Sequence, residues 1–147
     1  MDSFRVDIVN AEQSLFSGVA RRVIAPLREG EAGFLPGHSP LLALLKAGIV
    51  RLEDMNGAEQ VFFVGSGFAE VQADHVTILA DVGERAADID EARAARVVEE
   101  ASRHAEERSG QVDYAHAQAE LAQAVARLQA VRRYRALTHG GMAAPPP

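Results

Sequence analysis

Along the first half of the chain the apolar positions recur with a period of two. Phe4, Val6 and Ile8 alternate with Arg5 and Asp7, and Val76, Ile78 and Ala80 repeat the pattern after His75. Successive side chains of a strand point to opposite faces, so segments of this kind give one face to a core and one to water. Turn-forming residues interrupt them at short intervals: Gly18, REGEAG at 28–33, PGHSP at 36–40, Gly48, MNG at 55–57, GSG at 65–67 and Asp74. Short strands so punctuated predict a β-sandwich or flattened barrel. The clearest hairpin is GIVRLEDMNGAEQVFFV at 48–64, where Asn56-Gly57 is expected to supply the positive φ angles of a tight turn.

Near residue 85 the period changes. No proline occurs from 41 to 144, and Gly110 is the single glycine between Gly83 and Gly140. Asp88 is expected to cap a helix over about 89–107, with Glu91 completing a capping box. Gly110 then provides a left-handed C-cap and Asp113 caps a second helix that reaches about residue 137. Ala94, Val98, Ala101 and Ala105 form one stripe, and Ala117, Leu121, Ala124, Leu128 and Val131 another, spaced to face each other in an antiparallel hairpin. Thirteen of the fifty residues from Asp88 to Leu137 are alanine, so this seam is thin. A buried methyl contributes roughly 0.8 kcal/mol against roughly 1.5–3 for a buried Leu or Val. Helices joined so lightly are expected to keep their helicity while exchanging packing partners, with a cleavable linker between Gly83 and Asp88. The organisation is thus a β-domain over 1–85, a helical hairpin over 86–137 and a disordered tail over 138–147.

Charge and composition narrow the function. The 147 residues carry 21 acidic side chains against 15 Lys and Arg, a formal charge of -6, which argues against a nucleic-acid surface. Cysteine is absent, which removes disulfides, thiolate zinc sites and cysteine nucleophiles. The start, MDSFRVDIVN, reads as neither a secretory signal nor a transit peptide, and no apolar run approaches the ~20 residues of a membrane span. Direct membrane insertion is not expected.

Candidate catalytic chemistry is weak. His38 and Ser39 are adjacent, so in extended chain they point apart, and no Gly-x-Ser-x-Gly elbow supports a triad. The five histidines, at 38, 75, 104, 116 and 139, show no metal-ligand spacing. GSG and GEAG read as turns, being wrongly placed for a phosphate loop. Glu99, Glu100, Glu106 and Glu107 read as a solvated helix face, whereas Arg132, Arg133 and Arg135 cluster at a helix end, either complementing its dipole or docking on an acidic surface.

Two stretches together carry a resemblance: FSGVARRVIAP followed by GEAGFLPGHSPLLALLKAGIVRL, and SGFAEVQADHVTILADVGERAADIDEARA. In order and spacing they resemble the epsilon subunit family of the bacterial F-type ATP synthase, up to about residue 137. The resemblance implies a ten-stranded β-sandwich with a helical hairpin. It implies a non-catalytic rotor subunit, peripheral at the cytoplasmic face of a bacterial inner membrane, that binds the gamma subunit and the c-subunit ring. It further implies that the hairpin restrains ATP hydrolysis by meeting the alpha/beta catalytic head. Asn10, His38 and Ala43 are then expected on the gamma-facing side, Glu31 toward the c ring, and Arg127, Arg132, Arg133 and Arg135 against an acidic segment of the catalytic subunits. Some members bind ATP through Ile-Asp-x-x-Arg-Ala, present as Ile89, Asp90, Arg93 and Ala94, with Arg127 in support. Glu100 and Gln123 stand where tight binders carry further arginines, so ATP binding is expected to be weak or absent and no cofactor is implied. A stand-alone small-molecule sensor, with ligand holding the hairpin closed, is the alternative; co-purification of gamma separates the two.

Overall fold

The computed structural model describes residues 2–107, 110–140 and 144. Eight strands precede two helices: β1 (Phe4–Val9), β2 (Ser14–Ala20), β3 (Arg22–Leu27), β4 (Gly30–Phe34), β5 (Leu41–Leu45), β6 (Gly48–Glu53), β7 (Glu59–Val71) and β8 (His75–Arg85), then a 3-10 turn (Ala86–Asp88), α1 (Glu91–Glu107) and α2 (Gln111–His139). The sandwich and the helical hairpin are as the periodicities predict. The strand count is eight among the described residues, against the ten the resemblance implies. β7 and β8 are the longest, at 13 and 11 residues.

Pairings β3–β5, β5–β7, β7–β6 and β6–β3 close a ring, and β8, β1 and β2 extend from β7, with β1 parallel to β8. Inside lies one apolar core containing Val6, Ile8, Val23, Phe34, Leu45, Val50, Phe62, Val64, Val76 and Ile78, all buried. The alternation of β1 and β8 is therefore a one-sided burial pattern, as expected.

Two turn expectations fail for identifiable reasons. GSG is a bulge inside β7, where the register against β8 shifts around Ser66. Gly67 has φ +131, and a Cβ there would lie 1.9 Å from the carbonyl oxygen of Leu79, so the glycine permits close backbone approach. GEAG lies within β4, paired with β3. At 54–58 the hairpin loop has five residues, with Gly57 alone at positive φ (+82). Asp54 holds that loop by accepting from the amides of Asn56 (2.9 Å) and Ala58 (3.0 Å).

The helix boundaries also move. Asp90, two residues beyond the expected Asp88, caps α1 by accepting from the Arg93 amide at 3.0 Å. Gly110, at φ 89, is the N-cap of α2, which leaves Asp113 within the first turn. Ile89 and Ala86 are buried, so the expected linker is a packed turn. Of the tail expected over 138–147, Thr138 and His139 are helical, while 141–143 and 145–147 lie outside the described residues.

α2 is buried on two sides. Ala126, Leu128, Ala130 and Val131 of α2 share one buried cluster with Ile89 and Ala94 and with Val61 and Phe63, which lie on the face of β7 turned away from the sandwich core. Gly65 lets α2 come close: a Cβ there would stand 3.0 Å from Gln123 Nε2 and 3.1 Å from Val82. α1 packs on α2, which lies between it and the sheet.

Substituting Gly67→Ala should destabilise the sandwich by about 3 kcal/mol or more through the backbone clash, whereas Gly57→Ala, with open space around its Cβ, should lose about 1. Denaturant unfolding of the two variants checks this ordering.

Candidate functional site

The four arginines expected to meet the catalytic subunits all have partners within the chain. Arg127 donates through Nε to both oxygens of Glu84 on β8, at 3.2 and 3.1 Å. Arg133 makes a two-pronged contact with Glu59 at the start of β7, through Nε and through Nη2 at 2.9 Å. Arg132 and Arg135 share Glu91 of α1, at 3.2 and 2.6 Å. Two arginines therefore fasten α2 to the sandwich and two fasten it to α1. Hydrogen bonding by Glu59 is the main influence raising the Arg133 pKa. Hydrogen bonds from Arg132, then Arg135, hold the Glu91 carboxyl below its ordinary 4.5.

Ion pairs this exposed contribute little individually, about 1 kcal/mol at most. Together the Glu59 and Glu84 contacts are worth at most about 2 kcal/mol, which bounds the change in the population of a detached hairpin at roughly 30-fold.

Within the Ile-Asp-x-x-Arg-Ala motif, the residues divide between structural tasks and water. Ile89 and Ala94 are buried in the cluster under the hairpin, Asp90 caps α1, and Arg93 is exposed. Arg127 is engaged by Glu84.

Around the β4–β5 loop, His38 stands edge-on to Phe34, with ring centres 5.2 Å apart, and its Nδ1–H donates to the Ser39 carbonyl at 2.6 Å. That nitrogen is thus committed to backbone and not to the Ser39 hydroxyl. Asn10 orders the β1–β2 turn: its Oδ1 accepts from the amides of Glu12 and Gln13, and its Nδ2 donates to the Gly83 carbonyl. Ala43 lies on β5 with its side chain against the core. Glu31, on β4, accepts from Arg51 at 3.2 Å.

Sequence reasoning missed an open apolar surface. Leu44, Phe68 and Leu79 sit side by side across β5, β7 and β8, and Val9 of β1 pairs with Leu79. Leu42, Leu44, Phe68 and Leu79 are 67%, 40%, 46% and 48% exposed, which makes the row continuous and uncovered. Asn10 borders the same depression as Phe68 and Leu79. The signal was present in LLALL, where no polar residue alternates with the leucines: a strand apolar on both faces needs a cover on both. No helix among the described residues is long and apolar enough to cross a membrane.

Family models describing the ATP synthase delta/epsilon chain match in two pieces, the β-sandwich domain over residues 3–86 and the long α-helix domain over 87–132. The ATP synthase epsilon chain of Alkalilimnicola ehrlichii is 50% identical over 92 residues, 63% of this chain and 66% of that one. The corresponding chain of Nitrosococcus oceani is 49% identical over 90 residues, covering 61% and 64%. The matched stretch spans slightly less than two thirds of these relatives' lengths. Among solved structures, a chain of the Euglena gracilis mitochondrial ATP synthase (OSCP/F1/c-ring) superposes with a TM-score of 0.78 at 20% identity, covering 90% of this chain and 82% of that one. A chain of the Tetrahymena thermophila mitochondrial ATP synthase central stalk and c-ring does so with 0.61 at 14%, covering 87% and 96%. At such identities the structures establish a shared fold.

Two outcomes test the fastening of α2. The pair Glu59→Gln and Glu84→Gln together should raise trypsin cleavage after Arg127 and Arg133 several-fold, up to roughly 30-fold, under native conditions, with the sandwich left whole. For Glu91, the folded pKa is depressed, so its stabilisation is complete above about pH 4.5 and disappears as pH falls through the lowered value. Protection of the α1 amides, taken relative to their intrinsic exchange rate at each pH, should fall across that acid window in the native protein and lose this dependence in Glu91→Gln.

Proposed function

Since the chain belongs to the ATP synthase delta/epsilon chain family, we propose that it is a non-catalytic rotor subunit of an F-type ATP synthase, coupling the c-subunit ring to the gamma subunit. The observation that carries this reading is the uncovered row Leu44, Phe68 and Leu79 on a sandwich whose other apolar outer patch is already filled by α2. A surface of that kind is completed by a neighbouring protein. Gamma docks there, with Asn10 at the border of the row and the His38 loop and the β5 backbone at Ala43 beside it. Glu31, exposed on β4, faces the c ring. The protein sits at the cytoplasmic face of a bacterial inner membrane and reaches the bilayer through these partners.

The helical hairpin is the brake on ATP hydrolysis. Its arginines are paired with Glu59, Glu84 and Glu91 in the docked form. Contact with the acidic segment of the alpha/beta catalytic head therefore requires exchange of one set of carboxylates for another. That exchange is nearly balanced in charge, which suits a reversible brake.

ATP contributes little. Arg127 is held by Glu84, Glu100 is an exposed anion on α1, and Gln123 lies over Gly65. Binding of ATP should be weaker than micromolar by titration calorimetry, and micromolar affinity would favour the sensor reading instead.

The test of the main reading is co-expression with the cognate rotor and head subunits. Gamma should co-purify with the full chain, and Phe68→Asp together with Leu79→Asp should abolish that. Truncation after residue 87 should keep gamma bound and raise ATPase activity; unchanged activity would remove the brake from the account.

A further inference from the structure

We infer that the surface which seats on the open row carries a basic side chain on each flank, one opposite Glu70 and one opposite Asp81. This rests on the docking reading above and specifies the chemistry of that partner face.

β7 and β8 are antiparallel, with Phe68 beside Leu79. The next outward position past Phe68 is Glu70, and the next past Leu79 is Asp81, so the two carboxylates lie on opposite sides of the apolar row. Both are exposed. A third acid on this face, Asp7, is provided for: it accepts from the Ser17 hydroxyl at 2.7 Å, pairs with His75 Nε2 at 2.9 Å, and lies 3.4 Å from Arg5. Among the described residues, Glu70 accepts only from the neutral Gln72 amide, at 3.4 Å, and Asp81 only from the Ser66 hydroxyl, at 2.7 Å. Among the described residues no Lys, Arg or His nitrogen lies within 4 Å of either; Glu31, Glu53, Glu59, Glu84 and Glu91 each have an arginine at such distance.

Water solvates Glu70 and Asp81 while the row is open. A partner that buries Phe68 and Leu79 strips part of that water away, and a carboxylate at the margin of a buried patch is costly without a counter-charge. Arginine suits both positions, because its planar fork matches a carboxylate and tolerates partial desolvation. The same argument disfavours a second copy of this chain as occupant, since each copy would bring two further unpaired acids to the face.

The affinity of the full chain for its cognate gamma subunit, measured in 50 and in 300 mM NaCl, tests this. Glu70→Gln and Asp81→Asn should each weaken binding about 5-fold in low salt and less than about 2-fold in high salt, because the lost attraction is screened. Leu79→Ala, a loss of apolar contact, should weaken it similarly in both. If Leu79→Ala weakens binding while both neutral variants bind like the parent in low salt, the basic flanks are refuted and the docking row stands. If Leu79→Ala is also without effect, the docking face itself is wrong.

Discussion

The arrangement depends on one interface: the buried cluster in which Val61 and Phe63, on the outer face of β7, pack with Ala126, Leu128, Ala130 and Val131 of α2. Where β7 is apolar on both faces each face calls for a cover, and at Val61 and Phe63 the chain supplies its own. Because α1 packs chiefly on α2 while α2 lies against β7 and β6, the hairpin is secured mainly through this one helix. Alanines make the contact close but shallow, and Gly65 permits the approach. What the apolar contact lacks in depth is supplemented by Arg127–Glu84 and Arg133–Glu59 at its margins.

Such an attachment gives the arginines two uses that exclude each other. While α2 lies on the sandwich their charge is neutralised locally, and once it lifts, the same groups become available to an acidic surface elsewhere. No new charge has to be created for the hairpin to change partners. The energies involved, about 1 kcal/mol per exposed pair, are small enough for salt and neighbouring subunits to tip the balance.

How much of this the sequence discloses depends on how many sides of an element are covered. β1 and β8 are legible because burial is one-sided and polar residues alternate with apolar ones. The α1–α2 seam is legible for the same reason, and Ala94, Ala101, Ala117, Ala124, Leu128 and Val131 are buried as their spacing predicts. The second face of α2 is hidden, since Ala126 and Ala130 fall between the stripe residues and blur its periodicity. GSG looks like a turn because a bulge and a turn both call for glycine, and only the register against Leu79 and Ala80 distinguishes them. Asp88 and Asp90 are chemically equal candidates for a cap; burial of Ala86 and Ile89 decides for the later one. Roles that depend on another protein, such as those of Asn10 and Glu31, leave only turn geometry and a surface ion pair within this chain.

The sandwich thus presents two apolar outer patches, one covered by its own helix and one awaiting a neighbour, and the account stands on the first being separately releasable. Native-state hydrogen exchange of the full chain, followed over a range of salt concentrations, measures that directly. Amides of α2 between Ala126 and Arg133 should open at a lower free energy than those of β7 and β8, and the gap should widen as salt rises. Exchange of helix and sheet amides with one shared opening energy, insensitive to salt, would contradict it.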